Sequence, residues 1–305
     1  FDETSAALRF PFKNKSLTQA EILNLLSDAD PETRKIAGKS LSEVLENNKR
    51  IFGMILNVIS RDRFIEDNKR GFKRIMSSRN LDNDVEDEVV DKLVNTVDKA
   101  MPKLTHRYYK WKANQFGQTR LDWWDRNAPL PHSSEKLIKW SEARDIILDS
   151  FSSFHPEISN LAELFFKNNW IDASLRKGKA SGAFAHPSVP SLHPYILVNY
   201  QGKIRDVMTL AHELGHGVHQ ILAGKNGLLM AETPLTLAET ASVFGEMLVF
   251  RKLLDESSIA QKKQLLSGKI EDMLNTVARQ IGFHQFEVKF HEARIKSELT
   301  PDEIS

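Results

Sequence analysis

The pentapeptide His212-Glu-Leu-Gly-His216 places two imidazoles and a carboxylate at a spacing that supports metal chemistry. Residues four apart lie on one face of an α-helix, so both rings can reach a single zinc ion. Glu213, beside the first ring, can take a proton from a water on that metal. The pattern therefore predicts metal-assisted hydrolysis, with His212 and His216 as Zn²⁺ ligands and Glu213 as the general base.

The motif lies in a segment that is expected to form a helix, as this chemistry demands. No proline interrupts the segment from Ile204 to Ala223, and Gly224 follows where a helix C-cap is expected. Apolar residues recur through it at helical spacing, at Val207, Leu210, Ala211, Leu214, Val218, Ile221 and Leu222. This stripe predicts a buried helix, whose apolar surroundings would exclude water and strengthen metal–ligand electrostatics.

A catalytic zinc site needs a third protein ligand and one open position. A third histidine six residues after the second is ruled out, because Leu222 stands there. The other solution is a Glu from a second helix, for which Thr233-Pro234 is a good start, with Thr as N-cap and Pro in the first turn. Glu239 and Glu246 lie seven residues apart on it, hence on nearly the same face. Spacing alone leaves both open, and Glu232 just before the helix is a third candidate.

Helices dominate the elements that must position these groups. Residues 16–103 are expected to be helical almost throughout, and further helices are expected at 136–154, 156–169 and 263–299. The stretches 178–184 and 193–200 carry Gly, Pro and β-forming residues, which predict two short strands just before the zinc helix. The expected fold is therefore mainly α, with a small β-sheet beside the metal site.

That small sheet is a candidate substrate site. A sheet beside a metal centre can hold an extended peptide by main-chain pairing along its edge. Gly182 and Ala183, just before Phe184, leave room for a substrate backbone to approach closely. The alternative interpretation is that these are purely structural strands.

Composition argues against several classes of function. The chain has 305 residues, 41% hydrophobic and 27% charged, which is ordinary for a globular protein with room for two lobes. Its net charge is +1 without a basic run, so neither nucleic acid nor an anionic membrane is an expected partner. The absence of cysteine excludes thiolate chemistry and disulfides, and it fits a cytoplasmic location.

Three segments carry a resemblance to a known family: His212–His216, Leu237-Ala-Glu-Thr-Ala241 and Gly178-Lys-Ala-Ser-Gly-Ala-Phe184. Together they resemble the oligoendopeptidase F branch of the thimet-oligopeptidase-like zinc metallopeptidases. Asp125–Pro131 and His193-Pro-Tyr195 extend the likeness over most of the chain. The resemblance implies a mostly helical, two-lobed, zincin-like fold around a deep channel, and cleavage of internal bonds in short, unfolded peptides.

The resemblance also assigns roles to residues. It implies zinc held by His212, His216 and Glu239, with Glu213 as general base and Gly182–Phe184 in a substrate-pairing strand. Residues 1–131 would form a helical lobe lining the substrate channel, and residues 132–305 the catalytic zinc-binding part.

The C-terminal part of the family fold is expected to lie beyond residue 305. Family members use a His and Tyr cluster there to hold the oxyanion, so the chain is expected to be an internal fragment whose partner is the missing C-terminal segment. Losing one oxyanion donor costs roughly a hundred- to a thousand-fold in rate. Weak or no activity is therefore expected of this chain alone.

Two acidic residues are candidates to orient a ligand imidazole by hydrogen bonding, Glu246 and, with an imperfect facing, Asp206. Both histidines must be neutral to bind, so metal affinity should fall as the pH drops below about 6.

Three alternatives remain open: a zinc carboxypeptidase on a related helical fold, a non-catalytic helical module with a structural metal site, and a scaffold in which the motif is coincidental. Glu213 argues against the second, since a structural site needs no base beside its ligand.

Overall fold

The computed structural model describes residues 2–131 and 137–305, and it confirms the mainly α fold. The helices are α1 (Asp2–Ala7), α2 (Gln19–Leu25), α3 (Pro31–Arg70), α4 (Ser77–Asp82), α5 (Asp87–Gln115), α6 (Trp140–Phe154), α7 (Pro156–Lys167), α8 (Ile204–Gly224), α9 (Leu235–Asp255), α10 (Ile259–Lys296) and α11 (Pro301–Ile304). The strands are β1 (Phe10–Phe12), β2 (Lys15–Leu17), β3 (Ile171–Asp172), β4 (Phe184–His186) and β5 (Tyr195–Leu197). No described helix combines the length and apolar character that a bilayer-spanning segment needs.

The described residues pack as two compact units, one formed by residues 2–131 with 264–305 and the other by residues 137–263. This division differs from the expected parts 1–131 and 132–305, because α10 belongs to the second unit only up to Lys263 and to the first unit from residue 264 onward. Beyond that point its side chains bond to α5 in the first unit, as Glu271 does with Tyr108 and Lys112. The expected boundary at residue 132 and the expected helix start at residue 136 lie outside the described residues.

The first unit is built on the long helix α3. Asp30 caps its start by accepting from the backbone N–H of Thr33 at 3.1 Å, and Gly71 ends it with a φ of 81°. The hairpin β1–β2, which the sequence did not predict, buries Phe10 against Ile22 of α2 and Ala37 of α3. A small core at the N-terminal end of α3 results.

The second unit has α8 at the centre of its core, which confirms the buried helix expected from the apolar stripe. Val207, Leu210, Ala211 and Leu214 of α8 are fully buried, together with Phe151 of α6 and Phe165 of α7. Among the residues of the apolar stripe, only Leu222, near the last turn, is exposed. The helix that carries both histidines is therefore held on several sides by packed neighbours.

Helix α9 begins close to its expected start, with one difference at the cap. Pro234 rather than Thr233 occupies the N-cap position, and no side chain caps the helix there. Helix α8 also differs from expectation at its C-terminal end, where Gly224 is the last helical residue and Lys225, not Gly224, is the C-cap.

A three-stranded sheet precedes α8 in the order β3-β5-β4, with β5 parallel to β3 and antiparallel to β4. The strands are shorter than expected. Gly178 and Gly182 have φ angles of 79° and 89°, which no strand residue adopts, so the predicted strand 178–184 is a loop up to Phe184. Strand β3 was not predicted.

Candidate metal centre

Helices α8 and α9 approach so closely that their backbones touch. A Cβ atom at Gly215 would lie 2.6 Å from the carbonyl oxygen of Ala241 and 2.8 Å from Cα of Ser242. A Cβ at Gly245 would lie 3.1 Å from the carbonyl oxygen of Ala211. Because these two positions are glycines, the helices can pack closely enough for Glu239 and Glu246 of α9 to lie near the histidines of α8.

The contact brings His212, His216 and Glu239 together. Oε2 of Glu239 lies 3.1 Å from Nε2 of His212 and 3.5 Å from Nε2 of His216, and the three ligand atoms all lie within 4.8 Å of one another. Ligands bound at zinc's usual distances in a tetrahedron are about 3.3 Å apart, so the donor set fits this ion. The structure thus brings together the three residues that the sequence singled out.

Two further contacts orient these donors. Nδ1 of His212 faces Oε2 of Glu246 at 3.4 Å, which leaves the Nε2 lone pair on the side of Glu239. The hydroxyl of the fully buried Ser242 donates to Oε2 of Glu239 at 2.7 Å. The contact of Glu246 was expected from the sequence, whereas that of Ser242 was not, although Ser242 lies three residues after Glu239 and hence on the same helix face.

Burial shapes the protonation of the cluster. Glu213 is 6% exposed, and burial raises its pKa to about 7, with the nearby Glu239 charge acting in the same direction. Burial lowers the pKa of His216, which favours the neutral ring that binds metal. Burial also acts to lower the pKa of His212, but the hydrogen bond to Glu246 and the neighbouring carboxylates outweigh it, and this pKa is raised.

Two other candidates lie elsewhere. Asp206 sits in the first turn of α8, where its carboxylate accepts from the backbone N–H groups of Gln201 and Lys203 at 2.9 and 3.0 Å. It therefore caps the helix, and the imidazole contact expected of it is not formed. Glu232 is exposed in the segment before α9 and is not part of the metal-ligand cluster found among the described residues.

The sheet is tied to α8 through its edge strand. The backbone N–H groups of Ile196 and Val198 in and after β5 point toward β3, where they donate to the carbonyls of Trp170 and Asp172. Ala185 of β4 pairs with Ile196 but is not hydrogen-bonded to it, because the backbone groups of Ile196 point the other way. The N–H and C=O of Ala185 therefore point away from β5. Nε2 of Gln220, four residues after His216, donates to that Ala185 carbonyl at 3.2 Å. Phe184 starts β4 and is 47% exposed, while Gly182 and Ala183 lie just outside the strand.

The close contact of α8 and α9 leads to a stability prediction. Gly215→Ala forces a methyl group against backbone atoms that cannot rotate away, so we expect the free energy of unfolding to fall by about 3 kcal/mol. Gly224→Ala in the last turn of α8 is the control, since its nearest neighbours lie 3.7 Å away, and its effect should stay within about 0.5 kcal/mol. Urea unfolding followed by tryptophan fluorescence measures both. Equal midpoints would mean that the helices do not touch at Gly215.

The sequence matches the profile of Peptidase family M3 over residues 24–305. The oligoendopeptidase F homolog of Borreliella burgdorferi is 30% identical over 301 residues, covering 97% of this chain and 50% of the relative. Oligopeptidase PepF of Bacillus subtilis is 27% identical over 292 residues, covering 94% of this chain and 43% of the relative.

A solved structure of PZ peptidase A with an inhibitor superposes with a TM-score of 0.87 at 18% identity, over 99% of this chain and 54% of that chain, which shows a shared fold. The chain spans about half the length of the curated relatives it matches. The match to the M3 profile over nearly the whole chain confirms the resemblance that the motifs implied, and the chain belongs to peptidase family M3.

Proposed function

We propose that this chain carries the catalytic centre of a zinc-dependent endopeptidase that hydrolyses internal bonds of short, unfolded peptides. M3 is a metallopeptidase family, and the relatives' names, oligopeptidase and oligoendopeptidase, point to peptides as substrates. The observation that carries the proposal is the cluster of His212, His216 and Glu239 with the buried carboxyl of Glu213 beside it.

The cofactor would be held by Nε2 of His212, Nε2 of His216 and one carboxylate oxygen of Glu239. When bound, zinc supplies Lewis-acid activation of water and of the scissile carbonyl. The negative charge of Glu239 moderates the positive charge of the ion, and its bond from Ser242 keeps one carboxylate oxygen directed at the histidines. Glu246 holds the ring of His212 from the opposite side.

Glu213 would serve as the general base and then as the general acid. Its carboxylate takes a proton from the attacking water and returns it to the departing amine. Burial raises its pKa to about 7, and a group with a pKa near the working pH can do both. A structural metal site has no use for a buried carboxyl in this position.

The peptide would pair with the edge strand β4. An extended peptide can add to an edge strand as a further strand, and in β4 the N–H of Ala185 would take part, since the carbonyl of Ala185 already accepts from Gln220. Gly182 and Ala183 allow close approach of a substrate backbone, and the exposed ring of Phe184 offers an apolar contact for a side chain. The channel-lining role of residues 1–131, the cytoplasmic location and the dependence on a C-terminal segment stay predictions.

Hydrolysis of an internally quenched peptide with both ends blocked tests the proposal in the full-length protein. We expect cleavage at an internal bond, loss of that cleavage to background after treatment with a chelator, and recovery when zinc is added back. A carboxypeptidase would leave the blocked peptide intact but release the last residue of a free one. Zinc binding without hydrolysis of either peptide would favour the structural metal site and contradict the proposal.

A further inference from the structure

The loop between β3 and β4 runs through residues 173–183 without regular secondary structure, yet two polar side chains fix its path. The loop leads directly into Phe184, where the proposed substrate strand begins. Gly178 and Gly182 give it positive φ angles, and nothing lies within 4 Å of a Cβ placed on either. Packing therefore does not hold the two glycines themselves, although Ala173 and Ala183 at the two ends of the loop pack against the core.

The first of these is Lys179, whose side chain is only 1% exposed although it carries a charge. Its ammonium donates to the backbone carbonyls of Asp172 at 2.9 Å, Ser174 at 2.9 Å and Val198 at 2.6 Å. It also lies 3.1 Å from Oδ1 of Asp172. Both terminal nitrogens of Arg176 donate hydrogen bonds to the same Asp172 carboxylate. One buried cation thus joins the end of β3, the start of the loop and the end of β5.

The second is Asn199, which follows β5. Its side-chain amide donates to the carbonyl of Ala180 at 3.0 Å and to the carbonyl of Gly182 at 2.9 Å. Both acceptors belong to the last four residues before β4. Lys179 therefore anchors the first half of the loop and Asn199 the second, each to the same end of β5.

We propose that Lys179 and Asn199 are positioning residues that fix the backbone of Gly182–Phe184 in the conformation an extended peptide pairs with. The proposal rests on the proposed function, since it concerns the same substrate strand. A backbone that is already ordered loses little freedom when the peptide binds, which favours binding without changing the chemical step. Neither side chain needs to touch the substrate to have this effect.

Asn199→Ala in the full-length protein is the main test. It frees the carbonyls of Ala180 and Gly182, so the segment must be ordered by the substrate itself. We expect KM for a blocked peptide to rise about tenfold, which corresponds to ordering one residue on binding, with kcat within about twofold. Amide hydrogen exchange across residues 180–186 should accelerate, while the thermal unfolding midpoint stays unchanged.

Lys179→Met should produce a larger rise in KM, because it removes the ammonium that bonds three carbonyls and leaves those of Ser174 and Val198 without a donor. Lys177→Met, which removes an exposed ammonium from the same loop, is its matched control and should change neither KM nor exchange. Peptide affinity is also measured with each variant in a Glu213→Gln background, where a fluorescent peptide binds without being cut. This titration separates binding from hydrolysis.

Faster exchange with unchanged KM and unchanged peptide affinity would overturn the positioning role, as would unchanged exchange in both variants. If no peptide is hydrolysed by the unmodified protein but peptide affinity still falls in Asn199→Ala, the proposed function fails and the positioning role stands. If the unmodified protein neither hydrolyses nor binds any peptide, both proposals fail.

Discussion

Replacing Glu213 with Gln should lower kcat/KM by about 10²- to 10⁴-fold while the protein keeps its zinc. The amide has nearly the shape of the carboxyl but can neither take a proton from water nor return one to the leaving amine. Because Glu213 is buried and its pKa is raised to about 7, the neutral amide adds no burial penalty. The fold and the three metal donors should therefore be preserved.

The measurement is kcat/KM on a blocked, internally quenched peptide, together with zinc content per chain. Glu163→Gln is a suitable control, since that side chain is 41% exposed on α7 and its partner among the described residues is Lys167, 2.9 Å away on the same helix. We expect it to retain full activity. A Glu213→Gln protein that keeps its zinc and at least about a tenth of its activity would remove this residue from the proton transfer.

Replacing Glu239 with Ala should weaken zinc binding by more than about 100-fold. Removing a residue that only hydrogen-bonds to a ligand typically costs about 10- to 100-fold, and loss of a ligand should cost more. The side chain is 59% exposed, so its removal should change the free energy of unfolding by no more than about 0.5 kcal/mol. Loss of zinc would then reflect loss of a ligand rather than loss of the fold.

Competition with a chromogenic chelator measures the zinc affinity. Glu256→Ala, at the C-terminal end of the same helix, removes an exposed carboxylate and should leave the affinity unchanged. Glu246→Ala should lower it only 10- to 100-fold, as expected for a partner that holds the His212 ring. If Glu246→Ala abolished binding while Glu239→Ala had little effect, the two carboxylates would have exchanged roles.

The choice between Glu239 and Glu246 shows what the sequence could decide and what it could not. A spacing of seven places both on nearly one face of α9, so periodicity alone left both open. In the structure they lie on opposite sides of the same ring, one facing Nε2 of His212 and the other Nδ1. The different positions of Glu239 and Glu246 relative to His212 follow from the point where α9 crosses α8. The close contact at Gly215 and Gly245 sets that point, and the local sequence pattern of α9 does not encode it.

Helix α8, which carries His212 and His216, was predictable because strong signals agree there. Its apolar stripe is long, it lacks proline, and the chemistry of the motif requires a helix, so α8 was placed from 204 to within a residue of its end. The strands were less predictable, since each has only two or three residues and takes its bounds from tertiary pairing. Asp206 does not bond to an imidazole, because its carboxylate accepts from backbone N–H groups at and just before the N-cap of α8.

The position of a bound metal ion decides whether His212, His216 and Glu239 hold zinc together. The full-length protein is crystallised with zinc, and anomalous scattering on either side of the zinc absorption edge places the ion. We expect one zinc ion within about 2.2 Å of both Nε2 atoms of His212 and His216 and of a carboxylate oxygen of Glu239. A zinc ion held by other residues, or a Glu239 carboxylate turned away from a zinc-loaded pair of histidines, would contradict this expectation.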